Sequence, residues 1–153
     1  YMEKSKSGGG PMMDFGCHRI EVLTGLFGEI GSVKSIVSNV LFNDREVEDT
    51  ATALFEFKSG PTATLTVTHA ALEPQDTLDI FCSKGSIHIS SLNKGSLRLV
   101  TKGGETTEQH PPHNNIHQPL IEDLTDAVLS GRQPLVDGAT GRMVSEILAE
   151  IYQ

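Results

Sequence analysis

The chain has 153 residues, a formal net charge of −8, and a composition that is 37% hydrophobic and 21% charged, which suits one ordinary globular domain. At this length about 70% of the unfolded surface can be buried, so neither disulfide nor metal is needed to hold a core. The acidic balance excludes a nucleic-acid or anionic-membrane surface, and no apolar run exceeds three residues, which excludes a transmembrane helix and the apolar stretch of a signal peptide. Two cysteines, Cys17 and Cys82, are too few for a disulfide framework or a four-thiolate zinc site and fit a reducing, cytoplasmic setting. The chain opens at Tyr1, with its first methionine second, and is read as a piece of a longer product.

A polar lead-in, Tyr1 to Lys6, runs through Ser7 into Gly8, Gly9 and Gly10, and Pro11 then suits a first helical turn. Met12, Phe15, Ile20, Leu23, Leu26 and Phe27 recur near helical spacing and predict a helix from Pro11 to Phe27, with Phe15 and Ile20 facing the core and Gly28 as the stop. From Ser32 the period becomes two. Strands are predicted around Val33 to Val37, over Thr50 to Phe57, and after the Lys58–Pro61 turn. In that third strand Thr62, Thr64, Thr66 and Thr68 face one way, and Ala63, Leu65, Val67 and His69 the other. Short strands follow at Thr77 to Cys82, Ser86 to Ser90 and Ser96 to Thr101, and Gly103 to Asn115 reads as a loop. Ile116, Leu120, Ile121, Leu124, Ala127 and Val128 form the apolar stripe of a helix ended by Gly131, and Asp137 caps a last helix carrying Met143, Val144, Ile147, Leu148 and Ile151. The order predicts an α+β fold: a mostly antiparallel open sheet with helices packed on one face.

Asp14 and His18 lie four apart on the first helix and so share a face. A carboxylate beside an imidazole fixes its tautomer and favours its charged form, which prepares a histidine to exchange a proton or bind a hydroxyl. On the pair alone, a first-turn acid and a surface histidine is the better reading. Cys17 has core neighbours and no evident partner to lower its pKa, and reads as a small packed residue. His69 reads as a hydrogen-bonded core or rim histidine. His110, His113 and His117, with Glu122 nearby, have spacing that could surround a zinc ion, but Pro111 and Pro112 bend the segment and no cysteine supports it. A polar connecting loop is the preferred reading there.

The surroundings of Asp14 and His18 change the balance. Gly8-Gly9-Gly10-Pro11-Met12-Met13-Asp14-Phe15-Gly16-Cys17-His18-Arg19-Ile20-Glu21 resembles the signature Gly-Gly-Gly-x-x-x-Asp-x-Gly-x-His that opens the second domain of the Gfo/Idh/MocA oxidoreductases. Val47 to Ala53, Gly60 to Ala70, Ser83 to Ser86 and Asn115 to Asp123 are similar to the corresponding parts of that domain. The resemblance implies a single C-terminal substrate and oligomerisation domain over residues 1–153. The parent that the resemblance implies is an NAD(P)-dependent enzyme that acts on a sugar, polyol or related compound by hydride transfer. It implies that His18 binds the reacting hydroxyl or relays its proton and that Asp14 orients and charge-balances it, with His117 expected at the substrate cleft. It also implies a homodimer or tetramer through the open sheet face.

Departures from the family pattern are equally specific. There is no G-x-G-x-x-G and no lysine before a proline, so NAD or NADP would be bound mainly by an N-terminal half absent here, and this fragment alone is expected to be inactive. Leu72-Glu73-Pro74-Gln75 stands where inositol-dehydrogenase-like members carry Tyr-Gly-Tyr-Asp, which argues against a cyclitol substrate. The alternatives are a non-enzymatic binding or assembly domain of the same fold, and a metal-binding module using the loop histidines.

Overall fold

The computed structural model describes residues 3–153, and these form two compact units: one runs up to Ala71 and resumes at Val136–Gln153, the other is Leu72–Leu135. The architecture is α+β, with all strand pairing in both sheets antiparallel.

In the first unit a short helix α1 (Lys4–Ser7) leads through the glycines into a π-helical turn (Met12–Gly16) and then α2 (Cys17–Phe27). The sheet follows as β1 (Ile30–Ser38), β2 (Thr50–Phe57) and β3 (Thr62–Thr68), in the spatial order β1-β2-β3. The C-terminal helix α4 (Gly138–Ile151) returns to this unit and packs on β1 and α2. Strand alternation decides which face is covered. Ala51, Ala53, Phe55 and Phe57 of β2 and Val67 of β3 are buried, and Met12, Ile20, Leu23, Val144, Ile147, Leu148 and Ile151 complete the core from the helical side. The opposite face presents Ile36 (72% exposed), Leu54 and the threonines, with Thr50 paired to Thr68 at 2.8 Å and Thr52 to Thr66 at 3.1 Å.

The first helix differs from expectation in one respect. Gly16, not Phe15, takes the inward position, with the Met12 side chain laid over it where a Cβ would stand. Phe15 is therefore turned out, 54% exposed, because the π turn carries one residue more than an α turn. His69 follows the end of β3, exposed at the rim, with its ring edge-on to Phe15 at 5.6 Å between centroids.

The loop from β1 to β2 is held from inside. Asp49 is fully buried, and its carboxylate accepts the N–H groups of Val40, Leu41 and Phe42 at 2.8–2.9 Å and the Thr50 hydroxyl at 2.9 Å. Asn39 Nδ2 donates to the carbonyls of Phe42 and Val47, both at 3.0 Å, so the loop is folded around two side chains.

The second unit is a meander of β4 (Leu78–Cys82), β5 (Gly85–Ile89), β6 (Ser96–Thr101) and β7 (Gly104–Gln109), followed by α3 (Gln118–Ser130). β7 corrects the expected Gly103–Asn115 loop. Its sequence, Gly-Glu-Thr-Thr-Glu-Gln, is exposed throughout and has no apolar alternation to betray it; backbone pairing to β6 makes it a strand. Across β4 and β5, Asp79 Oδ1 meets His88 Nδ1 at 2.6 Å and His88 Nε2 meets Ser86 Oγ at 2.8 Å, a polar chain that pins the register of these strands. α3 ends at Gly131 in the left-handed region (φ 70°), and its stripe residues Leu120, Ile121, Leu124 and Val128 are more than half exposed. Asp137 caps α4 as expected, accepting from the Thr140 N–H at 3.0 Å. Among the described residues no helix is long and apolar enough to cross a membrane.

Asp49 makes stability depend on acid. Burial alone would raise its carboxyl, but the N–H donors of Phe42, Val40 and Leu41 outweigh burial and hold it far below the usual carboxylate range. A carboxyl depressed in the folded state stabilises fully above the unfolded value, near pH 4, and loses that contribution as pH falls towards the folded one. Chemical denaturation at pH 7 and pH 3 should show higher stability at pH 7, and Asp49→Asn should flatten that slope.

Candidate functional site

The site is built on the N-terminal end of the first long helical segment. A helix start leaves N–H groups without intrahelical partners, and these attract a negative charge. Here that charge comes from the chain itself. Glu48 is buried, 5% exposed, and its carboxylate accepts Gly10 N–H at 2.8 Å through Oε2 and Met12 N–H at 3.1 Å through Oε1. Oε1 also accepts the Tyr152 hydroxyl at 2.7 Å, and Tyr152 Oη in turn accepts Met13 N–H at 3.2 Å. Burial, and then the Glu48 carboxylate, push the Tyr152 phenol well above its ordinary range, so it remains a donor.

This clamp explains the glycine triplet. A Cβ on Gly9 would overlap the Tyr152 hydroxyl, and one on Gly10 would run into the Glu48 carbonyl. Only bare backbone fits so close to the carboxylate and the phenol.

Directly after the clamped peptides comes Asp14, exposed, with its own N–H bonded to the Gly10 carbonyl at 3.1 Å. His18, also exposed, lies in the first turn of α2. The two thus sit on one continuous helical segment, across the junction of a π turn and an α helix, a local irregularity common at functional sites. Cys17, between them, donates its thiol to the Asp14 carbonyl at 3.4 Å; burial pushes the thiol up and the Asp14 charge adds to it, so it is a packed residue and a poor nucleophile.

His117 belongs to the other unit, where it is the exposed N-cap residue of α3 and its N–H donates to Asn115 Oδ1 at 3.1 Å. The other loop histidines have local partners: His110 Nε2 lies 2.9 Å from Glu108 Oε2, and His113 Nδ1 accepts Asn115 N–H at 3.4 Å. Glu122 accepts from Gln118 at 2.6 Å. Among the described residues no group of three or more His, Cys, Asp or Glu could hold a metal ion.

Glu48 and Tyr152 were missed from the sequence as site residues. Glu48 gave a faint signal, an acid between Val47 and Asp49 at the mouth of an apolar strand. Tyr152 gave none, since its partner Glu48 is 104 positions away.

Strand pairing in both sheets is antiparallel among the described residues, and the N–H groups at the start of the first helical segment are taken by Glu48 and Tyr152, so neither feature offers the pyrophosphate cradle of a βαβ unit.

Comparison with known proteins agrees with the fold. The model of the GFO/IDH/MocA C-terminal domain matches residues 1–88. Among solved structures, the chain is similar to aldose-aldose oxidoreductase from Caulobacter crescentus, a complex with glycerol, at 25% identity and TM-score 0.86, covering 99% of this chain and 47% of that one. UDP-N-acetylglucosamine 3-dehydrogenase from Acidithiobacillus ferrooxidans is 25% identical, with TM-score 0.78 and coverage of 92% and 45%. Levoglucosan dehydrogenase, in complex with NADH and levoglucosan, shares the fold at 20% identity, TM-score 0.84 and coverage of 99% and 49%. The chain therefore spans about half the length of these proteins. No curated protein matches it.

Gly10→Ala tests the clamp. The added methyl must displace the Glu48 backbone or break the carboxylate contacts, and the expected cost is about 3 kcal/mol in urea denaturation, against less than about 1 for Gly141→Ala, which meets open space on α4.

Proposed function

This chain belongs to the GFO/IDH/MocA C-terminal domain family, and from that premise we propose that it is the substrate-binding and oligomerisation part of an NAD(P)-dependent oxidoreductase that interconverts a hydroxyl and a carbonyl on a sugar, polyol or related compound. The observation that carries the reading is the exposed Asp14 and His18 on a backbone pinned by buried Glu48. An exposed imidazole can donate to a substrate hydroxyl or take its proton, and a carboxylate on the same helical segment balances the charge that forms. His117 contributes to substrate binding. NAD or NADP is held mainly by a dinucleotide-binding half outside this chain, and the assembled enzyme works in the cytoplasm. The similarity to an aldose-aldose oxidoreductase and to a UDP-sugar dehydrogenase, both at 25% identity, supports a sugar-like substrate.

The open face of the first sheet suits a second copy of this domain. It exposes Ile36 and Leu54 among paired threonines, with Lys34 opposite Leu54 and Glu56 towards one end as the charges on that face. A homodimer or tetramer follows.

In the native-length enzyme, Asp14→Asn and His18→Ala should each lower kcat by about 10²–10⁴-fold. Both residues are exposed, so thermal midpoints should stay within a degree or two of wild type, about the shift expected of a surface substitution. Unchanged turnover in both variants would remove the assignment. Separately, Ile36→Lys should shift light-scattering mass towards the monomer while circular dichroism stays that of the folded protein.

A further inference from the structure

We propose that Glu48 and Tyr152 are positioning residues for the Asp14–His18 pair, with Tyr152 acting through the Met13 peptide and Glu48 through those of Gly10 and Met12. The inference rests on the assignment of Asp14 and His18 to the reaction and goes beyond it, since neither Glu48 nor Tyr152 reaches the exposed side of the helix.

Three consecutive features converge on Asp14. The peptides of Met12 and Met13, immediately before it, are each held by an acceptor from a distant part of the chain, Glu48 Oε1 at 3.1 Å and Tyr152 Oη at 3.2 Å. The Asp14 N–H itself is held by the Gly10 carbonyl, and the Gly10 N–H is held by Glu48 Oε2. The π turn then closes through Cys17 N–H on the Met12 carbonyl, which fixes where α2, and with it His18, begins. A π turn is less favourable than an α turn and persists where its surroundings dictate it. With the Tyr152 hydroxyl gone, Met13 N–H loses its partner and the segment gains freedom to relax, carrying Asp14 away from its place relative to His18. A displacement of the order of 1 Å in such a group can cost about 10²-fold in turnover.

Tyr152 is the more informative of the two to change. It is the C-cap residue of α4, half-buried, and Phe keeps its ring while removing one oxygen. Glu48→Gln puts an N–H₂ group against a peptide N–H, either that of Gly10 or that of Met12, and serves as the second variant.

The test is a double-mutant cycle in the native-length enzyme, with initial rates for NAD and NADP against glucose, xylose and arabinose, cofactor dissociation constants by fluorescence, and thermal midpoints for each variant. Tyr152→Phe alone should lower kcat about tenfold with cofactor affinity unchanged. In the Asp14→Asn background it should lower kcat less than twofold, because the group it positions is already disabled. Glu48→Gln should show the same dependence on background. Equal losses in both backgrounds, or a Tyr152→Phe enzyme as fast as wild type beside a slow Asp14→Asn, overturn the positioning role and leave the assignment of Asp14 standing. An Asp14→Asn enzyme as fast as wild type, or a wild-type enzyme that turns over none of the three sugars, overturns the assignment and the positioning role together.

Discussion

A buried carboxylate must find donors or be expelled, and the first unit is organised around how Glu48 finds them. Taking an ionised acid out of water without compensation costs several kcal/mol, whereas hydrogen bonds to a charged group return about 1.5–3 kcal/mol each. Glu48 meets three donors: the N–H groups of Gly10 and Met12 and the Tyr152 hydroxyl. The exchange also satisfies the helix start, so two problems that are each expensive alone cancel. The same constraint reaches outwards along the chain: it demands glycines at positions 9 and 10, holds the start of the π turn, and ties the last turn of α4 to the first helix.

Glu48 and Asp49 are neighbours that serve different parts of the molecule. Entry into an extended strand points successive side chains in opposite directions. Glu48 takes the helix start, and Asp49 takes the loop after β1. Two consecutive acids thereby fix both the helix that presents Asp14 and His18 and the loop between β1 and β2. The Glu48 carboxylate also occupies the Gly10 and Met12 N–H groups at the helix start.

The two units differ in how they are held. The first has a core that joins β2, α2 and α4, from Met12 and Ile20 through Phe55 to Ile151. In the second, Ala127 is the one deeply buried apolar residue among those described, and Leu78, Ile80, Ile87, Ile89, Leu97 and Leu99 are half-buried on one face of its sheet. Its order comes from strand pairing and from polar chains such as Asp79–His88–Ser86. One unit therefore rests on a packed interior and the other on its backbone ladder.

The sequence by itself determined what local periodicity and chain chemistry can determine. Strands β2 and β6 begin and end where alternation says, the threonine face of β3 is outward, and Asp137 caps α4 through its own side chain. The motif from Gly8 to His18 was legible too, because it is contiguous. What only the tertiary structure decided were matters of distant partners. β7 carries no apolar pattern and exists because β6 offers it an edge. Phe15 and Gly16 exchange places because the π turn adds a residue, and that turn is held by contacts with Glu48 and Tyr152 that no spacing reveals. Periodicity reports which side of an element is apolar; it does not report which buried acid, dozens of residues away, will claim the backbone at its start.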